Sequence, residues 1–192
     1  SLHDALPISI CVKPLSKVTN PDINAMEHIE TGVYELDEAL DGGIALGQVC
    51  ILSGKRGDGK STFMSQMIAD AINQGYGVFV YSAELPDYQF KGWLNTQVAG
   101  EENIIGYTNK FGKTKYVPTE EVQKRIDQLY DGKAFIFDNA YTDENPEKEL
   151  DLINVIEQTI KSNDVQLICV DNLMTAMESV RSQSELYLAQ GR

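Results

Sequence analysis

The chain has 192 residues, 42% apolar and 23% charged, which suits one soluble-type domain with a sizeable core. Its 16 Lys and Arg face 29 Asp and Glu, and the resulting net charge of −13 counts against nucleic-acid binding over the whole surface, because phosphates need cations. Three cysteines without CxxC spacing and only two histidines, His3 and His28, argue against a disulfide framework and a zinc cluster. No apolar run reaches membrane-spanning length and no basic-then-apolar leader opens the chain, so no membrane partner and a cytoplasmic location are expected.

In chain order, residues 1–9 (SLHDALPIS) resemble a translated sequencing-adapter oligonucleotide and are set apart from the domain. Residues 10–27 are largely polar, carry Pro14, Asn20 and Pro21, and read as a linker. The domain is expected over 28–192. Leu36 and Leu40 at helical spacing predict a short helix that Gly42 and Gly43 stop. The run QVCILS (48–53) has the length and composition of a buried strand. A helix over 60–73 follows, with Phe63, Met67 and Ala71 on one face. Then come a strand over 78–82, a helix over 88–98, an irregular stretch over 100–117 and a helix over 119–130 with Val122, Ile126 and Leu129 aligned. A strand over 134–137, a helix over 145–161 with Leu152, Val155, Ile156 and Ile160 inward, a strand over 166–170 and a helix over 182–190 complete the pattern. Strand–helix alternation predicts an α/β fold with a mostly parallel sheet and right-handed crossovers. Cys50 and Cys169 lie inside apolar strands and are expected to be reduced core thiols.

Residues 54–61, GKRGDGKS, fit G-x-x-x-x-G-K-[ST] at every fixed position, after a predicted strand and at the start of a predicted helix. Gly54, Gly57 and Gly59 free the backbone to wrap a phosphate with its N–H groups, with Lys55, Arg56 and Asp58 completing the loop. Lys60 brings a point charge to the β- and γ-phosphates, the Ser61 hydroxyl suits a Mg²⁺ ligand, and Thr62 continues the first helical turn. A carboxylate inside such a cradle repels phosphate, so the Asp58 side chain is expected to point to solvent. Two acidic residues end apolar strands and are equal candidates for the metal side, Asp138 (AFIFDN) and Asp171 (LICVDN). Glu84 follows the strand over 78–82 and reaches the strand-end edge where the loop lies, so it is the candidate for orienting or deprotonating water.

TG-x3-LD (Thr31, Gly32, Leu36, Asp37), then GG and GQ, GKRGDGKST, YSAEL and VDNLMTA together resemble the RecA-like helicase domain of DnaB-type proteins, over residues 28 to the end. The resemblance implies a sheet of order 3-2-4-5-1, counting the P-loop strand as 1. Asp171 then becomes the metal-side acid beside Glu84, and Asp138 a structural residue. It also implies that the fifth strand, the DNA-contacting loops and an arginine serving the neighbouring subunit's ATP lie beyond residue 192, so that the chain reads as a fragment. The implied activity is ATP hydrolysis with Mg²⁺ driving a DNA helicase, through a homo-hexameric ring on single-stranded DNA. The alternative is a RecA- or KaiC-like ATPase, recombinase or regulatory, without unwinding. Within the chain, TNKFGKTKY (108–116) mixes lysines with aromatics in a way that suits single-strand contacts, although a solvated loop is the simpler expectation.

Overall fold

The computed structural model describes residues 13–20, 22, 25–138, 140–141 and 152–172. Its centre is a three-stranded parallel sheet of order β6-β3-β7, formed by Ala134–Ile136, Val78–Ser82 and Leu167–Asp171. In the count that starts at the P-loop strand, this is the expected order 3-2-4. The central strand β3 is buried along almost its whole length (Val78, Phe79, Val80 and Ser82), as a strand covered on both faces should be. Val78 pairs with Ala134 on one side and Leu167 on the other, and the ladder to β7 runs on to Ser82↔Asp171. That last pair sets two strand ends level at one edge, where the P-loop helix also starts.

Helices α1 (Tyr34–Ala39), α2 (Lys60–Asn73), α3 (Asp87–Ala99), α4 (Glu120–Tyr130) and α5 (Leu152–Ser162) surround the strands. The core joins Ile68, Ala69, Ala71 and Ile72 of α2 to Val78 and Val80 of β3, Phe90 and Leu94 of α3, and Cys169 of β7. The buried stripe of α2 is therefore Ser65, Ile68, Ala69, Ala71 and Ile72, and Phe63 and Met67 sit half-buried on its flank. On α4, Ile126 is buried and Val122 and Leu129 half-buried, while the Thr119 side chain caps the helix by accepting from the Val122 N–H at 3.4 Å. On α5, Leu152 is buried and Val155 and Ile156 half-buried, but Ile160 faces solvent. The first part of the helix expected over 145–161, and the one expected over 182–190, lie outside the described residues.

Besides Ile160, three expectations are corrected. The run 48–53 joins no ladder: Val49, Ile51 and Leu52 are 91%, 75% and 48% exposed. Strand propensity needs a partner for its N–H and C=O groups, and among the described residues β7 pairs with β3 alone. Cys50 is consequently exposed rather than a core thiol, whereas Cys169 is buried, which pushes its thiol up to about 12. Residues 100–117 are not irregular. They hold a short 3-10 turn (Glu101–Asn103) and an antiparallel hairpin of β4 (Ile104–Thr108) and β5 (Thr114–Pro118). A further two-residue pairing, β1 (His28–Ile29) with β2 (Ile44–Ala45), closes the N-terminal segment.

Where β3 begins, Gly77 lies so close to β7's lead-in that an added Cβ would sit 1.7 Å from the Asp164 carbonyl oxygen. Its carbonyl accepts from Gln166 and Leu167 N–H. Gly77→Ala should therefore lower stability by about 2–3 kcal/mol through overpacking. Gly92→Ala, on an exposed turn of α3 with nothing within 4 Å, should be neutral or raise it by about 0.5–1 kcal/mol. Urea unfolding midpoints of the two variants test this placement, and equal midpoints would contradict it.

Candidate nucleotide site

The loop 54–59 turns on two glycines in the left-handed region, Gly57 at φ 89° and Gly59 at φ 84°, and Gly59 is the residue from which α2 starts. Gly54 has no such backbone; its need is for space, since an added Cβ would lie 3.3 Å from Asp58 Oδ2 and 3.7 Å from Lys60 Cδ. Residues 49–59, Arg56 among them, are exposed, and Lys60 and Ser61 are half-buried where α2 meets the sheet. Lys60 Nζ folds back and donates to Gly54 O at 2.9 Å and to Lys55 O at 2.8 Å, so the ammonium spans the concave side of the loop. Asp58 is exposed, as expected, and makes a contact that was not expected. Its Oδ2 accepts from the Lys55 N–H at 2.7 Å. The carboxylate thus takes up a backbone donor of the loop while remaining exposed, because an unpaired N–H beside a short acidic side chain is readily satisfied this way.

Two strand ends face this loop. Ser61 Oγ donates to Asp171 Oδ2 at 3.0 Å, which ties the first turn of α2 to the end of β7. The Ala83 N–H donates to Asp171 O at 2.6 Å, so the chain leaving β3 runs alongside. Ser82 Oγ then accepts from Leu85 N–H at 3.1 Å and shapes the turn that carries Glu84. Glu84 Oε1 accepts from Asn172 Nδ2 at 2.8 Å. The residue after the strand-end Asp therefore holds the exposed carboxylate beside it. Sequence reasoning missed Asn172; its place just past the end of β7, level with the end of β3 that leads to Glu84, was the signal. Asp138 is placed apart, past β6 across β3 from β7. Its Oδ1 accepts from the Tyr141 N–H at 3.2 Å, as a carboxylate capping a turn does.

The Ser61 and Asp171 oxygens fit a magnesium ion. They are hard donors already at hydrogen-bond distance, and Mg²⁺ takes one or two such protein ligands plus phosphate and water. No cluster of three or more His, Cys, Asp or Glu suited to a metal stands among the described residues.

The TG-x3-LD segment braces the site from behind. The buried Thr31 gives its N–H to Asp37 Oδ1 at 2.7 Å, fixing α1. Gly32 lies against Asp70 of α2, where a Cβ would come within 2.0 Å of the carboxylate. Gln74, also at the end of α2, makes paired bonds to the Glu30 backbone at 2.9 and 3.0 Å.

A family model described as "ATPase: KaiC" matches residues 29–186. A UPF0273 protein of Methanopyrus kandleri is 28% identical over 155 residues, covering 78% of this chain and 54% of that protein. The DNA repair protein RadA of Aquifex aeolicus is 32% identical over 120 residues, 62% of this chain and 27% of its own length. The circadian clock protein KaiC3 of Synechocystis is 36% identical over 66 residues, 34% of this chain and 13% of its own. The chain thus spans about half the length of the UPF0273 relative and less of the other two. No solved structure matches. No helix among the described residues is long and apolar enough to cross a membrane.

The Asp58 contact generates a measurable expectation. Asp58→Ala frees the Lys55 N–H and removes a negative charge from a site built for phosphate. ATP affinity, read by calorimetry, should rise about fivefold, on the order of 1 kcal/mol. Unchanged or weaker binding would show that the carboxylate does not compete with phosphate.

Proposed function

The chain belongs to the KaiC family of ATPases, and we propose that it binds Mg-ATP on loop 54–61 and hydrolyses it. The observation that carries this reading is the Ser61–Asp171 hydrogen bond, which brings a hydroxyl and a carboxylate together beside the phosphate loop with Glu84 next to them. Backbone N–H groups of the loop and of the first turn of α2 bind phosphate oxygens. Lys60 exchanges its two carbonyl partners for phosphate charge. A magnesium ion on Ser61 and Asp171 would neutralise developing charge on the phosphates. Glu84 accepts a proton from the attacking water as its oxygen bonds to the γ-phosphorus. The bond to the β–γ bridging oxygen breaks, leaving ADP and inorganic phosphate. Asn172, by donating to Glu84, sets where that carboxylate points.

For the use of the motor, the relatives favour the RecA- and KaiC-like alternative, recombinase or regulatory, over a DnaB-type helicase. The matching family is that of KaiC, and two of the relatives are named for DNA repair and for a circadian clock. Nothing among them points to unwinding.

Lys60→Ala should abolish ATP binding. Glu84→Gln should leave binding intact and slow hydrolysis by at least about a hundredfold, the scale for loss of a general base. Asp171→Asn should cut Mg²⁺-dependent turnover while Asp138→Asn leaves it alone; the reverse pair would move the metal side to β6. Phosphate release assayed with and without single-stranded DNA, beside a strand-displacement assay, separates the uses. DNA-stimulated turnover without unwinding is the outcome expected of a recombinase relative, indifference that of a regulator, and unwinding would reinstate the helicase.

A further inference from the structure

We propose that the β4–β5 hairpin is a contact site for single-stranded nucleic acid. The hairpin gathers lysines and aromatic rings with no acidic residue between them. Residues 103–119 hold Lys110, Lys113 and Lys115 and no Asp or Glu, in a chain of net charge −13. The ion pairs among the described residues engage Lys91, Lys124, Arg125 and Lys161, and none of the hairpin lysines. From Ile105 to Tyr116 every residue but Asn109 is exposed. The hairpin leaves the body at its base, where Pro118 is buried, and presents its far end to solvent.

Aromatic rings accompany the charges on both faces and at the tip. Tyr116 pairs with Gly106, and a Cβ at Gly106 would lie 3.3 Å from the Tyr116 ring, so the ring covers the glycine and keeps its outer face free. On the opposite face Tyr107 pairs with Lys115. At the tip Phe111 is 76% exposed, with Lys110 Nζ 5.1 Å from its centroid. The tip is preformed. Asn109 Oδ1 accepts from both Phe111 and Lys113 N–H at 3.0 Å, its N–H reaches Lys113 O at 2.9 Å, and Gly112 takes φ 74°. Such order lowers the entropy lost on binding.

Cations that neutralise phosphates, interleaved with flat rings that stack on bases, are the chemistry of single-strand recognition. An acidic peptide would use the lysines and leave the rings idle. An anionic membrane would favour rings gathered at one end, whereas here two tyrosines stand on opposite faces behind the tip. The site is separate from loop 54–61, so it is tested without nucleotide.

The experiment is fluorescence anisotropy of labelled oligothymidylate and oligouridylate on the full chain over a salt series. Parallel titrations use polyglutamate and phosphatidylserine vesicles. The expected logarithmic salt slope is about −2 for three phosphates on a single strand. It should collapse toward zero in the K110A/K113A/K115A variant and be retained in the Lys→Arg triple variant. Phe111→Ala and Tyr116→Ala should each weaken binding about fivefold or more. Circular dichroism and ATP affinity should match the parent throughout. Binding of either oligonucleotide with these losses supports the proposal, and the preferred one tells DNA from RNA. Absence of oligonucleotide binding, an unaltered slope in the alanine variant, no loss in the ring variants, or equal affinity for polyglutamate or the vesicles would overturn it.

Discussion

A single hydrogen bond, Ser61 Oγ to Asp171 Oδ2, joins the two halves of the site, and its existence depends on the sheet. Ser61 belongs to α2 and Asp171 to β7, 110 residues later. Nothing local brings them together. They meet because β3 pairs with β7 in parallel and in one register, which places the end of β7 level with Ser82, and because α2 packs Ile68 and Ile72 onto that sheet. A slip of one residue in that ladder would turn Asp171 to the other face and withdraw Asn172 from Glu84. The burial of Val78, Phe79 and Val80 is therefore what fixes the geometry of the polar groups at the edge.

The loop itself is held by its own charges. Lys60 bridges two loop carbonyls and Asp58 occupies a loop N–H, so a cradle of exposed backbone stays shaped by one half-buried and one exposed side chain. These contacts are solvent-screened and individually worth little, which suits a structure that must exchange them for phosphate. The bracing behind it is of another kind. Thr31 is buried, Gly32 abuts Asp70, and Gln74 makes two bonds to the Glu30 backbone, so the far end of α2 is fixed while its N-terminus remains open.

Most of this was legible in the sequence wherever a signal was local and periodic. The helix over 60–73, the strand over 78–82 and the P-loop between glycines needed only spacing, and the order of the three strands followed from the family resemblance. Failures came where the outcome depended on a distant partner. The run 48–53 has every local mark of a strand, yet Val49 and Ile51 are exposed, because pairing decides a strand and composition does not. Cys50 went with it. The hairpin was hidden because residues 105–116 are exposed on both faces but for Asn109, so no apolar face marks the period. The exposure of Asp58 was foreseen from its repulsion for a ligand, but its bond from the Lys55 N–H was not. Asn172 escaped notice because its partner, Glu84, lies 88 residues away.

Net charge speaks to the whole surface and leaves local sites open. At −13 the chain as a whole should repel polyanions, yet six of its 16 Lys and Arg are gathered in two places: Lys55, Arg56 and Lys60 at one loop, Lys110, Lys113 and Lys115 on one hairpin. Fields of exposed charges fade over about 8 Å at physiological salt, so the lysines near the hairpin tip weigh more with a polyanion there than acidic residues farther off. The same acidic residues disfavour attachment close to them. Grouping of this kind is how a chain with an unfavourable average charge can still offer local sites for anions, and it is what the proposed hairpin contact would rely on.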